Sequence, residues 1–277
     1  MGDYNIFIMD EDFLKQKHIN IPYSIVTNTE INLKRVLVTS YFLIHKSEVL
    51  NTVTCSIDMI LDFFELKNTS RSSKCYKDVL EIISYLVNNN YIHIDITQYI
   101  SIKNISKKEL VTYYVNQHRF NIEQNYSVIY MDEYLKILNY NNCIIPDYKE
   151  TLFMVLAYLR YKIPFNINDS YRYTEAYNEQ LKSIASVLGK HIYRRLHNIF
   201  DILKELGIIY YYVPSRRLTK NETWLNYGFI FANMYKRQWQ KIKGEYTLVE
   251  VTSGEEYYMQ EILKKEKQLI KYFKGKT

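Results

Sequence analysis

Between Gln180 and Lys220 the chain gathers the side chains best suited to chemistry. Lys182, Lys190, His191, Arg194, Arg195, Arg216, Arg217 and Lys220 fall there, with Asn198 among them. Over Lys182–Lys220 eight Lys and Arg stand against two acids, Asp201 and Glu205, a local balance of +6. Such groups bind phosphate, and Arg also forks onto the edge of guanine. Lys182, Lys190, Arg216, Arg217 and Lys220 are therefore expected to position a DNA backbone. His191, Arg194, Arg195 and Asn198 are expected to read bases. The competing expectation is a solvated helix face followed by a basic loop.

Those residues need elements to hold them. Leu181, Ile184 and Leu188 recur at helical spacing, and Gly189 stops the run. Ile192, Leu196, Ile199, Phe200, Leu203 and Leu206 renew it, which predicts a short helix, a turn and a second, amphipathic helix. Gly207 ends that helix, as glycine does at helix C-termini. Ile208–Val213 is β-branched and aromatic and predicts a strand. Pro214-Ser215 turns the chain, placing Arg216, Arg217 and Lys220 at or just past a hairpin tip. Short helix, turn, basic helix, strand, basic tip is the order of the winged-helix variant of helix-turn-helix. A helix fits the major groove, and a tip beside it can reach a phosphate or the minor groove.

The first half echoes this pattern. Met9-Asp10-Glu11 resembles Met131-Asp132-Glu133, and each is followed by a loop with a proline, Pro22 or Pro146. Apolar helices are predicted over Leu33–His45 and Glu150–Tyr161. Ser56 is the expected N-cap of a short helix that parallels Leu181–Leu188. At a shift of 117 residues, Ile82, Ile83 and Leu86 fall on Ile199, Phe200 and Leu203. At the same shift Asn90-Tyr91-Ile92 falls on Gly207-Ile208-Ile209. Arg71, Lys74 and Lys77 then open the first long helix, where hydroxyls, bases and free amides suit phosphate; a solvated helix start is the equal alternative. A wing is expected near Thr97–Lys108, carrying Lys103, Lys107 and Lys108.

The expected fold is thus mainly α with small β-hairpins, of the α+β class: two tandem winged-helix domains plus a C-terminal helix. The first domain spans 1–123, with a helical connector from about 107 on which Leu110, Tyr113 and Tyr114 take helical spacing. The second, basic domain spans 126–243 and is the main DNA-binding candidate. The final helix spans 253–275.

Composition fits this arrangement. The chain has 277 residues, 47% hydrophobic and 24% charged, ample for two cored domains. The net charge of +6 is uneven: residues 1–125 carry 13 Lys and Arg against 14 acids, and residues 126–277 carry 23 against 16. A basic half beside a neutral half suggests one polyanion-binding side. The 29 tyrosines accompany frequent Asn, Ile and Lys and reflect an AT-rich coding sequence rather than a stacking platform. Cys55, Cys75 and Cys143 have no metal-ligand spacing and read as reduced thiols of a cytoplasmic protein. No signal peptide and no membrane span is expected.

Enzyme signatures are sparse. GxxxxGK[ST], GxGxxG, GxSxG and HExxH do not occur. His191-Ile192-Tyr193-Arg194 matches the His-x-x-Arg of tyrosine recombinases over two letters only. A protein without catalytic activity, cofactor or metal is expected.

The element order and the duplicated Met-Asp-Glu start resemble the tandem winged-helix replication initiators of plasmids and phages. More loosely, they resemble phage replisome organisers. The resemblance covers about residues 1–243. It implies sequence-specific binding of double-stranded DNA, with one domain dominating and the other adding DNA contact or dimerisation. It also implies partners in a second copy of the chain and in a replicative helicase or its loader. A transcriptional regulator or partition adaptor with the same contacts is the alternative, as is a protein-interaction module that binds no DNA.

Overall fold

The computed structural model describes residues 6–9, 17–66, 72–95, 102–122, 125–141, 148–162, 165–168, 171–174, 177–179, 181–212, 227–231, 235–242 and 245–250. Strands β1 (Ile6–Met9) and β2 (His18–Pro22) come first, then helices α1 (Tyr23–Thr27) and α2 (Arg35–His45). Strand β3 (Thr52–Cys55), helices α3 (Ile57–Phe63) and α4 (Ser72–Asn88), and strands β4 (Ile92–Ile94) and β5 (Val111–Val115) follow. Next are α5 (Gln117–Ile122), β6 (Tyr126–Tyr130), α6 (Met131–Asn139) and α7 (Tyr148–Lys162). The rest runs β7 (Phe165–Asn168), β8 (Tyr171–Thr174), β9 (Tyr177–Glu179), α8 (Leu181–Leu188), a 3-10 stretch Lys190–Arg195 and α9 (Leu196–Glu205). Strands β10 (Ile209–Tyr212), β11 (Tyr227–Phe231), β12 (Tyr235–Ile242) and β13 (Glu245–Glu250) close it. Helices with antiparallel sheets make this an α+β protein. The predicted helix over 253–275 lies outside the described residues.

The chain divides into two compact units, one of residues 17–161 and one of residues 1–16 with 162–277. The predicted boundary near 123–126 falls inside the first unit. There β6 pairs with β2 from His18↔Tyr130 to Pro22↔Tyr126. Strand β1, expected in the first domain, belongs to the second unit. It pairs with β12 (Ile6↔Trp239) and β8 in a five-stranded sheet of order β13-β12-β1-β8-β7. The physical reason is that strand edges are satisfied by long-range pairing, which neighbourhood in sequence does not reveal.

The predicted helical connector from about 107 is also corrected. Its centre is strand β5, between β3 and β4. Val111, Tyr113 and Val115 are buried while Thr112 and Tyr114 are not, the period-two pattern of a half-buried strand. The helical spacing of Leu110, Tyr113 and Tyr114 is coincidental; helix α5 is confined to Gln117–Ile122.

Within the 17–161 unit, α7 is buried from Lys149 to Arg160. Buried charge needs a partner, and the three buried ions of α7, Lys149, Glu150 and Arg160, each have one. Glu150 lies 3.5 Å from Lys34 Nζ, which also donates to Asp78 on α4 at 2.9 Å. Lys149 pairs with Glu65 at 2.5 Å, and Arg160 pairs with Glu133 on α6. Burial pushes the Glu133 carboxyl above its ordinary value, with Arg160 opposing. Arg35, almost wholly buried, has no acid in its hydrogen-bond set among the described residues. It donates instead to the carbonyls of Ile25, Val26, Ile31 and Asn32, tying the end of α1 to the start of α2. Burial holds its guanidinium down at about 10, still cationic at neutral pH.

Candidate nucleic-acid interface

The same small structure occurs in both units. In the first it is β3-α3-α4-β4-β5, with sheet order β3-β5-β4. In the second it is β9-α8-α9-β10-β11, with sheet order β10-β11-β9. Each therefore places its last strand between the other two, antiparallel to both. The registers also correspond: Ile92 faces Val115, and Ile209, 117 residues after Ile92, faces Phe231.

Side-chain burial explains why two diverged segments fold alike. Ile57, Ile60, Leu61 and Phe64 on and after α3 are buried, as are Leu181, Ile184, Ala185 and Leu188 on α8. Val79, Ile82, Ile83 and Leu86 on α4 match buried Leu196, Ile199, Phe200 and Leu203 on α9. Ser56 caps α3, its hydroxyl accepting from the Met59 amide at 3.2 Å. The C-terminal caps are equivalent too. Asn90 (φ 61°) and Gly207 (φ 64°) both take the left-handed conformation. Tyr91 N donates to Leu86 O at 2.8 Å, and Ile208 N donates to Leu203 O at 2.9 Å. This is the wrap-around bond that ends a helix and aims the chain into the next strand.

In the second unit the joint between the paired helices is Gly189, whose φ of 127° suits glycine. Lys190–Arg195 then forms a 3-10 stretch instead of the predicted first turns of an α-helix. The tighter winding puts every third residue on one face. Lys190 and Tyr193 share a face and both are exposed, while Ile192 is buried. Arg194 is exposed and Arg195 half-buried. Lys182 on α8 and Asn198 on α9 are exposed. Asp201 accepts a hydrogen bond from the Tyr211 hydroxyl on β10. Bases thus lead the helix, and Asp201 and Glu205 trail it. His191 falls in the 3-10 stretch, with its side chain outside the described set. Arg71, Arg216, Arg217 and Lys220 also lie outside the described residues.

In the first unit Lys74 and Lys77 are exposed on the opening turns of α4, with exposed Glu81 a turn further on. The segment before β5 is fastened to the same end of the helix. The Tyr76 hydroxyl donates to Ile105 O at 2.5 Å, and Lys107 Nζ sits 5.3 Å from the Tyr76 ring centre. Asp58 N donates to Lys107 O at 2.9 Å. Lys107, in the β4–β5 connection where the sequence predicted a wing, is thus held against the opening turns of α4. The signal that could have found this is Tyr76, an aromatic on the helix face nearest the loop.

Among the described residues no group of three or more His, Cys, Asp or Glu comes together as a metal site would require. Among them, too, no helix is long and apolar enough to cross a membrane. Compared with known proteins, the chain matches no family model and no curated protein.

Proposed function

We propose that the protein is a sequence-specific double-stranded DNA-binding protein that acts as a replication initiator of a plasmid or phage. The observation that supports this reading is the duplicated strand-helix-helix-strand-strand structure, which we read as a winged helix. Each copy exposes bases where its second helix begins. In that reading α4 and α9 each present their start to a major groove, and Lys74, Lys77, Lys107, Lys182 and Lys190 hold phosphates. Arg194 and Asn198 read base edges, Arg on guanine and Asn on adenine. The second copy dominates, because the sequence around it, Lys182–Lys220, carries eight Lys and Arg against two acids. The neutral first unit presents Val49 (88% exposed) and Leu50 (67% exposed) on a turn, which favours an added assembly role for it.

The test is to select protein-bound fragments from the replicon that encodes the chain. Fragments from an origin, together with opening of adjacent AT-rich DNA, support initiation. Fragments confined to a promoter transfer the reading to a transcriptional regulator. No fragment retained at low salt removes DNA binding altogether.

A further inference from the structure

A cleft of about 450 Å³ opens within the 17–161 unit, and none of its lining residues belongs to α3 or α4. Part of its wall is apolar: Leu43 and Ile44 at the end of α2, and Met131 at the start of α6. Three amides face the same space, Asn20 on β2 and Gln117 and Asn121 on α5. Lys17 and Lys46 add positive charge, against the single acid Glu48, and His18 lines the cleft beside them.

Two polar atoms of that lining are unsatisfied. Asn20 Oδ1 and Gln117 Oε1 are shut off from solvent and accept no hydrogen bond among the described residues. Gln117 Nε2 already donates to Asn121 Oδ1 at 3.2 Å, so the Gln117 oxygen is the atom left to accept. A buried acceptor without a donor costs about 1–3 kcal/mol. A small turn of the terminal amide, a soft torsion, would offer either oxygen to a donor in the cleft.

An occupant with an apolar face, N–H donors and negative charge together would complement this lining. We propose that the cleft binds a purine mononucleotide. The base lies against Leu43, Ile44 and Met131, with its amino edge to the Asn20 and Gln117 amides. Asn and Gln pair with adenine through that edge. Glu48 accepts from a ribose hydroxyl, and Lys17 and Lys46 hold the phosphate. The volume suits a ligand of this size. The inference is independent of DNA binding by α4 and α9.

Calorimetric titration of the full chain with AMP, ATP, adenosine and inorganic phosphate tests it. AMP or ATP is expected to bind saturably, one per chain, and more tightly than adenosine or phosphate alone. Lys46→Ala, Gln117→Ala and the exposed-site variant Lys17→Ala should each weaken that binding about tenfold or more, while Lys74→Ala should not. AMP should raise the melting temperature of the wild type and of Lys74→Ala, but much less that of the cleft variants. No saturable binding of either nucleotide, equal affinity for phosphate alone, or wild-type affinity in all three folded cleft variants would overturn the proposal. So would binding of a short single strand without binding of any mononucleotide.

Discussion

At the scale of single residues, Arg194 and Lys34 show two uses of a cation. Arg194 is exposed at the end of the 3-10 stretch, where a guanidinium can meet a base edge without first losing a protein partner of its own helix core. Arg194→Ala is expected to cost about 1–3 kcal/mol on the cognate duplex and little on a random one, read by fluorescence anisotropy on both. Equal loss on the two would reduce Arg194 to a phosphate contact. Lys34 works inward. Burial alone would lower its ammonium, yet Glu150 and Asp78 outweigh burial and leave it above the ordinary lysine value of 10.5. A base raised on folding contributes stability that is complete below that ordinary value and lost as pH climbs past the folded value. Lys34→Met leaves two acids without their shared ion and should destabilise by about 3–5 kcal/mol at neutral pH. In urea denaturation from neutral to strongly alkaline pH, the gap between wild type and Lys34→Met should narrow only above the ordinary lysine value. A gap constant through that range would mean that charge plays no part.

At the scale of elements, the equivalent caps allow a comparison inside one chain. A Cβ at Gly207 would meet nothing within 4 Å, so Gly207→Ala tests backbone conformation alone. It should lower stability by about 1 kcal/mol in urea denaturation, whereas Asn90→Gly should change it by no more than a few tenths. These helices were legible in the sequence because buried positions recur at three- and four-residue steps and a left-handed residue follows each. The repeat was legible for the same reason: Ile82, Ile83 and Leu86 and their counterparts sit where packing tolerates few residue types. The five-stranded sheet was not legible. Tyr171-Arg172-Tyr173-Thr174 and Tyr235–Ile242 lack strong apolar contrast, and their tyrosines looked compositional. Their pairing with β1 spans most of the chain, beyond any local pattern. The 3-10 stretch was missed because six residues at near-helical spacing do not distinguish a three-residue from a 3.6-residue turn.

At the scale of the whole molecule, charge and architecture fall out of step with a simple division into halves. The excess of bases lies in residues 126–277, yet β6, α6 and most of α7 belong to the 17–161 unit. What remains in the second unit is still the stretch with eight bases against two acids. Cationic groups that neutralise phosphates release bound counterions, so affinity for duplex must fall with salt in proportion to the number of contacts. Titrating the full chain against a labelled duplex from its own replicon, over a series of salt concentrations, measures this directly. Log affinity is expected to fall linearly with log salt, with a slope of several units that is shallower by about one in Lys190→Ala. Affinity that ignores salt, or no binding at the lowest salt used, would contradict this expectation.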